Sequence, residues 1–320
     1  MRFLNGTGQA WSALDIVVTR HDVLDEASFR GTGLLDLYAE LFPMSERDDP
    51  DDIVRWVLSD DVGEPRHFTI DGEELSYRLD SRCFILRAAG RAIGLGFFTY
   101  DHASRLISCN HVGVGKAWRG GGLAQTFYRE MVDALDELFP HNIGVVLEVE
   151  PFDRERLEAI IADLERERRR RPGTDEAGVI RKLLRVSWYR KLGYSLFCDA
   201  RTGRALGCRS PCLDPSLPSP AWAGEEEDYW LMWHTRRGVL PAVTDAGELW
   251  RTAVRAIYVE ILAKSLVAAD PSVRRDYWHY ANELVARTLR QTSATEIGLS
   301  LAADDALLAR WRRLAIDLPI

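Results

Sequence analysis

Long apolar runs are missing from this 320-residue sequence: none approaches the roughly 18 residues a membrane-spanning helix needs. Met1 to Ala10 holds one arginine and no long apolar segment, so no secretory signal is expected there. Cysteine is scarce and odd in number, five in all (Cys83, Cys109, Cys198, Cys208 and Cys212), which suits reduced thiols in a cytoplasmic protein better than a disulfide framework. Cys208 and Cys212 could be half of a metal site, but no second Cys/His pair follows nearby, and His21, His67, His102, His141, His234 and His279 show no metal-ligand spacing. Positive charge is also in deficit. With 41 Lys and Arg against 49 Asp and Glu, the net charge of −8 argues against nucleic-acid binding and is compatible with a cationic or amine ligand. There is no G-x-x-x-x-G-K-[ST] string, and no G-x-G-x-x-G opens a first βαβ unit.

What the chain does have is Val112-Gly113-Val114-Gly115-Lys116-Ala117-Trp118-Arg119-Gly120-Gly121-Gly122-Leu123-Ala124. A strand-like segment enters a glycine-rich turn, and an amphipathic helix leaves it. That order gathers unpaired backbone N–H groups and the positive end of a helix dipole at one point, where an anion can sit. Glycine lets backbone approach phosphate oxygens that a side chain would hold away. The residues Arg119, Gly122 and Ala124 form R-x-x-G-x-A, which resembles the acetyl-CoA loop of the GNAT (Gcn5-related N-acetyltransferase) superfamily. Ser187-Trp188-Tyr189-Arg190-Lys191-Leu192-Gly193-Tyr194 resembles the same family's F-Y-x-x-x-G-F signature, and it follows a strand candidate, Ile143 to Glu150, in the family's order. The resemblance covers roughly residues 13–235.

The resemblance implies an α/β (α+β) GNAT fold: a mixed, mostly antiparallel central sheet flanked by helices. It implies acetyl-CoA, or another acyl-CoA, as co-substrate and no metal. Val112, Gly113 and Val114 would lie along pantetheine, with Val112 and Val114 facing it, while Arg119, Gly120, Gly121, Gly122, Leu123 and Ala124 would cradle the pyrophosphate. Tyr189 falls where the family places the general acid that protonates the departing thiolate. Many relatives carry a glutamate on the strand entering the loop, whereas this chain has Asn110-His111. Asparagine accepts no proton, and an imidazole has a suitable ordinary pKa of about 6.5. Glu148 and Glu150 share one face of the following strand by alternation, so the order of preference for the base is Glu148, Glu150, then His111. No serine or cysteine has an identifiable base, so direct transfer in a ternary complex is expected rather than an acyl-enzyme. The acceptor would be a primary amine of a small molecule or peptide. The alternatives are longer-chain acyl transfer to a peptide in natural-product maturation, and a catalytically silent CoA-binding module that senses or scaffolds.

Along the chain, Ala13 to Arg20 reads as a strand and Phe29 to Phe42 as a helix stopped by Pro43. Asp49-Pro50 reads as the cap and first position of another helix. Cys83 to Arg87 and Ala92 to Tyr100 read as a hairpin around Ala89-Gly90, with Leu106 to Val114 as the next antiparallel strand. Ala124, Phe127, Met131, Leu135 and Leu138 form the core stripe of the helix after the glycine turn. An insertion over about 152–184 begins with a helix ending in Arg168 to Arg171, read as a solvated helix end; contact with cofactor phosphates or an acidic acyl-carrier protein is the alternative. Residues 199–226 read as a long functional loop and Tyr229 to His234 as the final strand. Domain boundaries are therefore expected at 1–238 for the acyltransferase domain and 239–320 for a helical extension whose helices open at Asp245, Asp270-Pro271 and Asp304. That extension could pack on the core, roof the substrate pocket or form a homodimer interface.

Overall fold

The computed structural model describes residues 3–4, 10–11, 14–19, 25–42, 47–58, 66–70, 73–119, 121–167, 171–211, 222, 224, 226–236, 245–267, 271–300, 305–316 and 318. Two short ribbons, β1 (Phe3–Leu4) with β2 (Ala10–Trp11) and, later, β4 (Arg66–Ile70) with β5 (Glu73–Tyr77), stand apart from the main sheet. That sheet begins with β3 (Leu14–Thr19), close to the expected 13–20.

The helix expected over Phe29 to Phe42 is two helices, α1 (Glu26–Arg30) and α2 (Leu34–Leu41). Asp25 caps the first by accepting from the Ser28 N–H at 2.7 Å. Gly33 has φ 73°, a left-handed conformation that no helix interior holds, so the chain breaks there and restarts. The helix α3 (Pro50–Leu58) starts as expected: Asp49 Oδ1 accepts from the Asp51 N–H at 2.7 Å, and Pro50 occupies the first turn.

The hairpin of β6 (Leu79–Ala88) and β7 (Arg91–Asp101) turns at Ala89 and Gly90, both at positive φ (49° and 79°), as a right-handed strand twist favours. Next come β8 (Leu106–Val114), α4 (Leu123–Leu138) and β9 (Gly144–Val149). The insertion is two helices, α5 (Arg154–Glu167) and α6 (Thr174–Lys191); the second runs on unbroken into the signature that holds Tyr189.

The long loop expected over 199–226 is shorter. After β10 (Ser195–Asp199), the Asp199 carboxylate accepts from the Arg201 and Thr202 N–H groups at 2.8 and 2.9 Å, and Gly203 at φ 70° completes the reversal. A strand, β11 (Gly207–Ser210), follows and pairs with β12 (Glu227–Thr235). Cys212 lies outside the described residues.

The C-terminal part is helical, with α7 (Ala246–Val267) capped by Asp245, then α8 (Pro271–Thr292) and α9 (Asp305–Arg313). It also supplies β13 (Ile297–Ser300), so β12 is not the last strand. The short Ile297–Ser300 segment carries too little alternation to stand out in the sequence; pairing with β10 makes it a strand.

The nine-stranded sheet has the order β13-β10-β12-β9-β8-β7-β6-β3, with β11 also on β12. Every pairing is antiparallel except β8 with β9. One face is covered by α4, α5, α6 and α9 around Phe127, Met131, Leu157, Ile161, Leu183 and Trp311. The opposite face is covered in two parts, by α1–α3 around Phe29, Leu37 and Ile53, and by α7–α8 around Trp250, Val254 and Leu284. Among the described residues no helix is long and apolar enough to cross a membrane.

Candidate functional site

The parallel pair is short. Strands β8 and β9 match only over Leu106–Ser108 with Gly144–Val146; beyond that, β8 continues against β7 and β9 against β12. The two strands part, and their facing edges past Ser108 and Val146 have no strand partner among the described residues. Backbone donors and acceptors along such a gap suit an extended ligand that carries amides.

A bulge lies at the start of the parting. Phe97 opposes His111 and Phe98 opposes Cys109, leaving Asn110 as the extra residue. The extra residue shifts the alternation by one. Cys109 joins the cluster under α4 and α6, whereas His111 contacts Tyr38 and Phe42 of the α1–α3 side. Val112 and Val114 then pack beneath α4, and a Cβ on Gly113 would meet Leu41. The valine side chains therefore point into the core, and what they present to the gap is main chain.

The glycine turn closes one end. Gly115 N–H donates to Ile93 O at 2.8 Å, a single 3-10 turn spans Lys116–Trp118, and Gly121 and Gly122 lie at φ 63° and 81°. Gly120 lies outside the described residues. Gly122 caps α4 without a side-chain bond, no acidic residue sits in the first turn, and buried Leu123 anchors that turn in the core beside half-buried Ala124. The first N–H groups of α4 are left for an external acceptor.

Arg119 folds back, its Nε donating to Val114 O at 3.0 Å. Burial, then the charge of Arg181, holds its pKa below the ordinary value; Arg185 adds to this and Glu40 opposes it. Arg181, Lys182 and Arg185 are successive positions on one side of α6, and Glu150 is braced by Arg185 at 2.5 Å and Lys182 at 3.5 Å. Guanidinium groups crowded at a helix N-terminus are a setting for phosphate. Arg168–Arg171, expected to be a solvated helix end with phosphate contact as the alternative, are described only at 171; 168–170 lie outside the described residues. The signal that could have found the others is basic residues at i, i+1 and i+4 just ahead of the Tyr189 signature.

Tyr189 lies in the core on the α4–α6 side, in the same cluster as Cys109. It is 9% exposed and packs edge-on against Trp188, Tyr194 and Tyr128, while the hydroxyls of Tyr128 and Tyr194 are hydrogen-bonded to each other. Burial raises the pKa of all three phenols, and neighbouring Cys109 raises each further. These phenols keep their protons at ordinary pH, so Tyr189 is a donor. The unfolded chain releases phenolic protons above about pH 10 while the folded one retains them, so stability is intact below that pH and falls as pH rises above it. Alkaline titration should show tyrosinate absorbance rising together with loss of helical circular dichroism; a titration of these tyrosines in the intact fold would contradict it.

On the other side of the sheet His111 is held by its neighbours. Its Nε2 lies 3.0 Å from Asp48 Oδ2 and 3.1 Å from the Tyr38 hydroxyl, which in turn accepts from the Asp48 N–H at 3.0 Å. An ionised Asp48 requires the proton on Nε2, leaving Nδ1 as the lone-pair nitrogen. A small cleft adjoins it, with a cavity volume of ≈ 20 Å³, lined by residues that include Trp56, Ser81, Thr99, Asn110 and His111.

Glu148 is on this same face, beneath α7, beside Cys208 and Tyr258. Burial pushes that thiol and that phenol up, and the Glu148 charge adds to both. Glu150 does not share its face: it follows the last residue of β9 and turns toward α6. The strand has ended there, so the alternation that paired the two glutamates no longer applies. The arrangement therefore puts Tyr189 on one side of the sheet, and His111 and Glu148 on the other. Among the described residues no three His, Cys, Asp or Glu side chains gather as a metal site.

No protein-family model matches the chain, and no curated protein matches it in sequence. Solved structures do match. One described as a GNAT-family acetyltransferase, from Bacteroides thetaiotaomicron, is 16% identical with a TM-score of 0.40, covering 76% of this chain and 98% of its own. An acyl-CoA N-acyltransferase from Pseudomonas aeruginosa is 14% identical, TM-score 0.37, covering 70% and 100%. The ribosomal-protein-S18-alanine N-acetyltransferase from Escherichia coli is 11% identical, TM-score 0.35, covering 70% and 99%.

Proposed function

We propose that the protein is an acyl-CoA-dependent N-acyltransferase of the GNAT type, moving an acetyl group from acetyl-CoA to a primary amine. The observation that carries this reading is the parted β8–β9 pair, with an arginine-lined glycine turn at one end and proton-handling side chains on its two sides. Amine acylation needs a group that takes a proton from the nucleophile and another that gives one to the leaving thiolate. Here His111 Nδ1 takes the amine's proton, with Asp48 fixing the ring through Nε2. Tyr189, neutral and buried, gives its proton to the thiolate from the opposite side. The main-chain N–H groups of the bulge at Asn110 are the candidates for holding the oxyanion between them. Arg119, Arg181 and Arg185 hold the donor's phosphates, with Glu150 orienting Arg185.

Thiol release from acetyl-CoA with a panel of amines tests the reading. Tyr189→Phe should lower kcat roughly a hundredfold with KM little changed. Arg181→Glu and Arg185→Glu should each weaken CoA binding at least about tenfold, while leaving pantetheine, which lacks the diphosphate, unaffected. Tight CoA binding with no turnover of any amine would instead leave a CoA-binding module without catalysis.

A further inference from the structure

Glu148 has no part in the proton transfers above, and its place in the sheet gives it another task. Its neighbours Leu147 and Val149 pack in the cluster under α4–α6, and Val146 in the one beneath α7–α8, so alternation turns Glu148 to the second side. There it is half-buried, whereas Leu147 and Val149 are 2% and 1% exposed. The parallel register sets Ser108 against Val146; two residues on, Asn110 is level with Glu148, and the bulge turns His111 to the same face. The two helical covers of that face divide near this line. Helices α1–α3 cover Cys83, Ile85 and Phe97 of β6 and β7, while α7–α8 cover Val146, Leu231 and Cys208 of β9, β12 and β11. His111 and Asp48 lie on the first side of the boundary, their side chains 17% and 18% exposed, and Glu148 lies on the other.

The C-terminal helices support this carboxylate. Tyr258 of α7 is 1% exposed, and its hydroxyl has no hydrogen-bond partner among the described residues. It lies near Cys208 and Thr288, with Glu148 close enough for its charge to act on the phenol. A buried hydroxyl that donates to nothing is costly, and a carboxylate oxygen is the acceptor that relieves it most. A primary alkylamine arrives as an ammonium ion with three N–H donors. One can face the His111 Nδ1 lone pair and another the carboxylate across the gap. An arylamine arrives uncharged and forfeits the charge-assisted bond at Glu148. Resting on the acyltransferase reading, we propose that Glu148 binds the acceptor as an ammonium ion opposite His111, that Tyr258 positions this carboxylate, and that the acceptor is accordingly an alkylamine. Glu148 binds and takes no proton, and the C-terminal extension becomes part of the acceptor site.

The test is thiol release from acetyl-CoA with benzylamine, butylamine and spermidine set against 4-methylaniline and 4-aminobenzoate, alongside calorimetric CoA binding. Benzylamine and 4-methylaniline are isomers that differ in charge at neutral pH. The alkylamines should exceed the arylamines at least about tenfold in kcat/KM. For the best alkylamine, Glu148→Gln should raise KM about tenfold with kcat within a few-fold and CoA binding unchanged. Tyr258→Phe should raise the same KM about threefold, and neither variant should change KM for an arylamine. Arylamines turned over as well as alkylamines, or an unchanged alkylamine KM in Glu148→Gln, overturns the inference while leaving acyl transfer intact. A loss of kcat greater than that of His111→Gln makes Glu148 the base and overturns it too. If Glu148→Gln loses CoA binding, and with it the fold, Tyr258→Phe and the ratio of the two isomers decide. CoA binding without turnover of any amine overturns the acyltransferase reading, and this inference with it.

Discussion

His111→Gln should lower kcat about a hundredfold or more, with CoA affinity unchanged. The argument is geometric. His111 is on the α1–α3 face because the bulge at Asn110 shifts the strand's alternation, and Tyr38, Phe42 and Phe97 fix its ring with centroids 4.9–6.3 Å away. Asp48 determines which nitrogen carries the proton. Asp48→Asn should therefore retain the fold and lose roughly tenfold in kcat, because an amide can donate to Nε2 and so reverse the tautomer. Glu148→Gln separates the two candidate bases. Glu148 lies on the same face but beside Cys208 and Tyr258 beneath α7. Its substitution should change kcat by no more than a few-fold; a loss larger than that of His111→Gln would move the base to Glu148.

The largest loss of stability should come from Gly144→Ala. Gly144 opens β9, wedged between β8 and β12, at φ 152°, where side chains are strained. A Cβ there would collide with the His234 carbonyl oxygen and sit 2.5 Å from Trp233 Cζ2 and 2.6 Å from Cη2. The carbonyl belongs to a central strand and cannot move aside without breaking β12 pairing. Backbone strain of about 1–3 kcal/mol adds to overpacking of similar size, so the loss should be about 3 kcal/mol or more. That corresponds to a fall in Tm of roughly 10 °C for a domain of this size. Gly178→Ala is the control. Gly178 lies within α6 with open space where its Cβ would be, so alanine should be neutral or add about 0.5–1 kcal/mol. Equal losses in the two variants would refute the account.

Local signals were readable where the chain's own chemistry decides them. The ends of β8 at Leu106 and Val114, the Ala89-Gly90 turn, and the Asp49 and Asp245 caps all follow from residues a few positions apart. The glycine turn belongs with these. What stayed hidden depends on distant partners. His111 ranked last among the candidate bases because Asp48 and Tyr38 are 63 and 73 residues away and no local pattern ties them together. The bulge leaves no mark in the sequence, yet it decides which way Cys109 and His111 point. Arg181 and Arg185 drew no notice in the sequence, because only the fold of α6 brings their charges to Arg119. Glu148 and Glu150 were expected on one face until the end of β9 divided them.

The pairing of β13 with β10 sets an order in time. Leu196 to Asp199 pair with Ser300 to Ile297, segments about 100 residues apart in the chain. At the roughly 5–20 residues per second of synthesis, β10 is made about 5–20 seconds before its outer neighbour exists. During that interval the edge of the sheet is a bare template, and the apolar face carrying Phe197, Leu231 and Trp233 waits for Trp250 and Val254 to cover it. The half of the sheet bearing the glycine turn and Tyr189 can pack under α4–α6 from residues already made. The newborn protein is thus exposed to misassembly at its β10 edge, on the half of the sheet away from β7, β6 and β3.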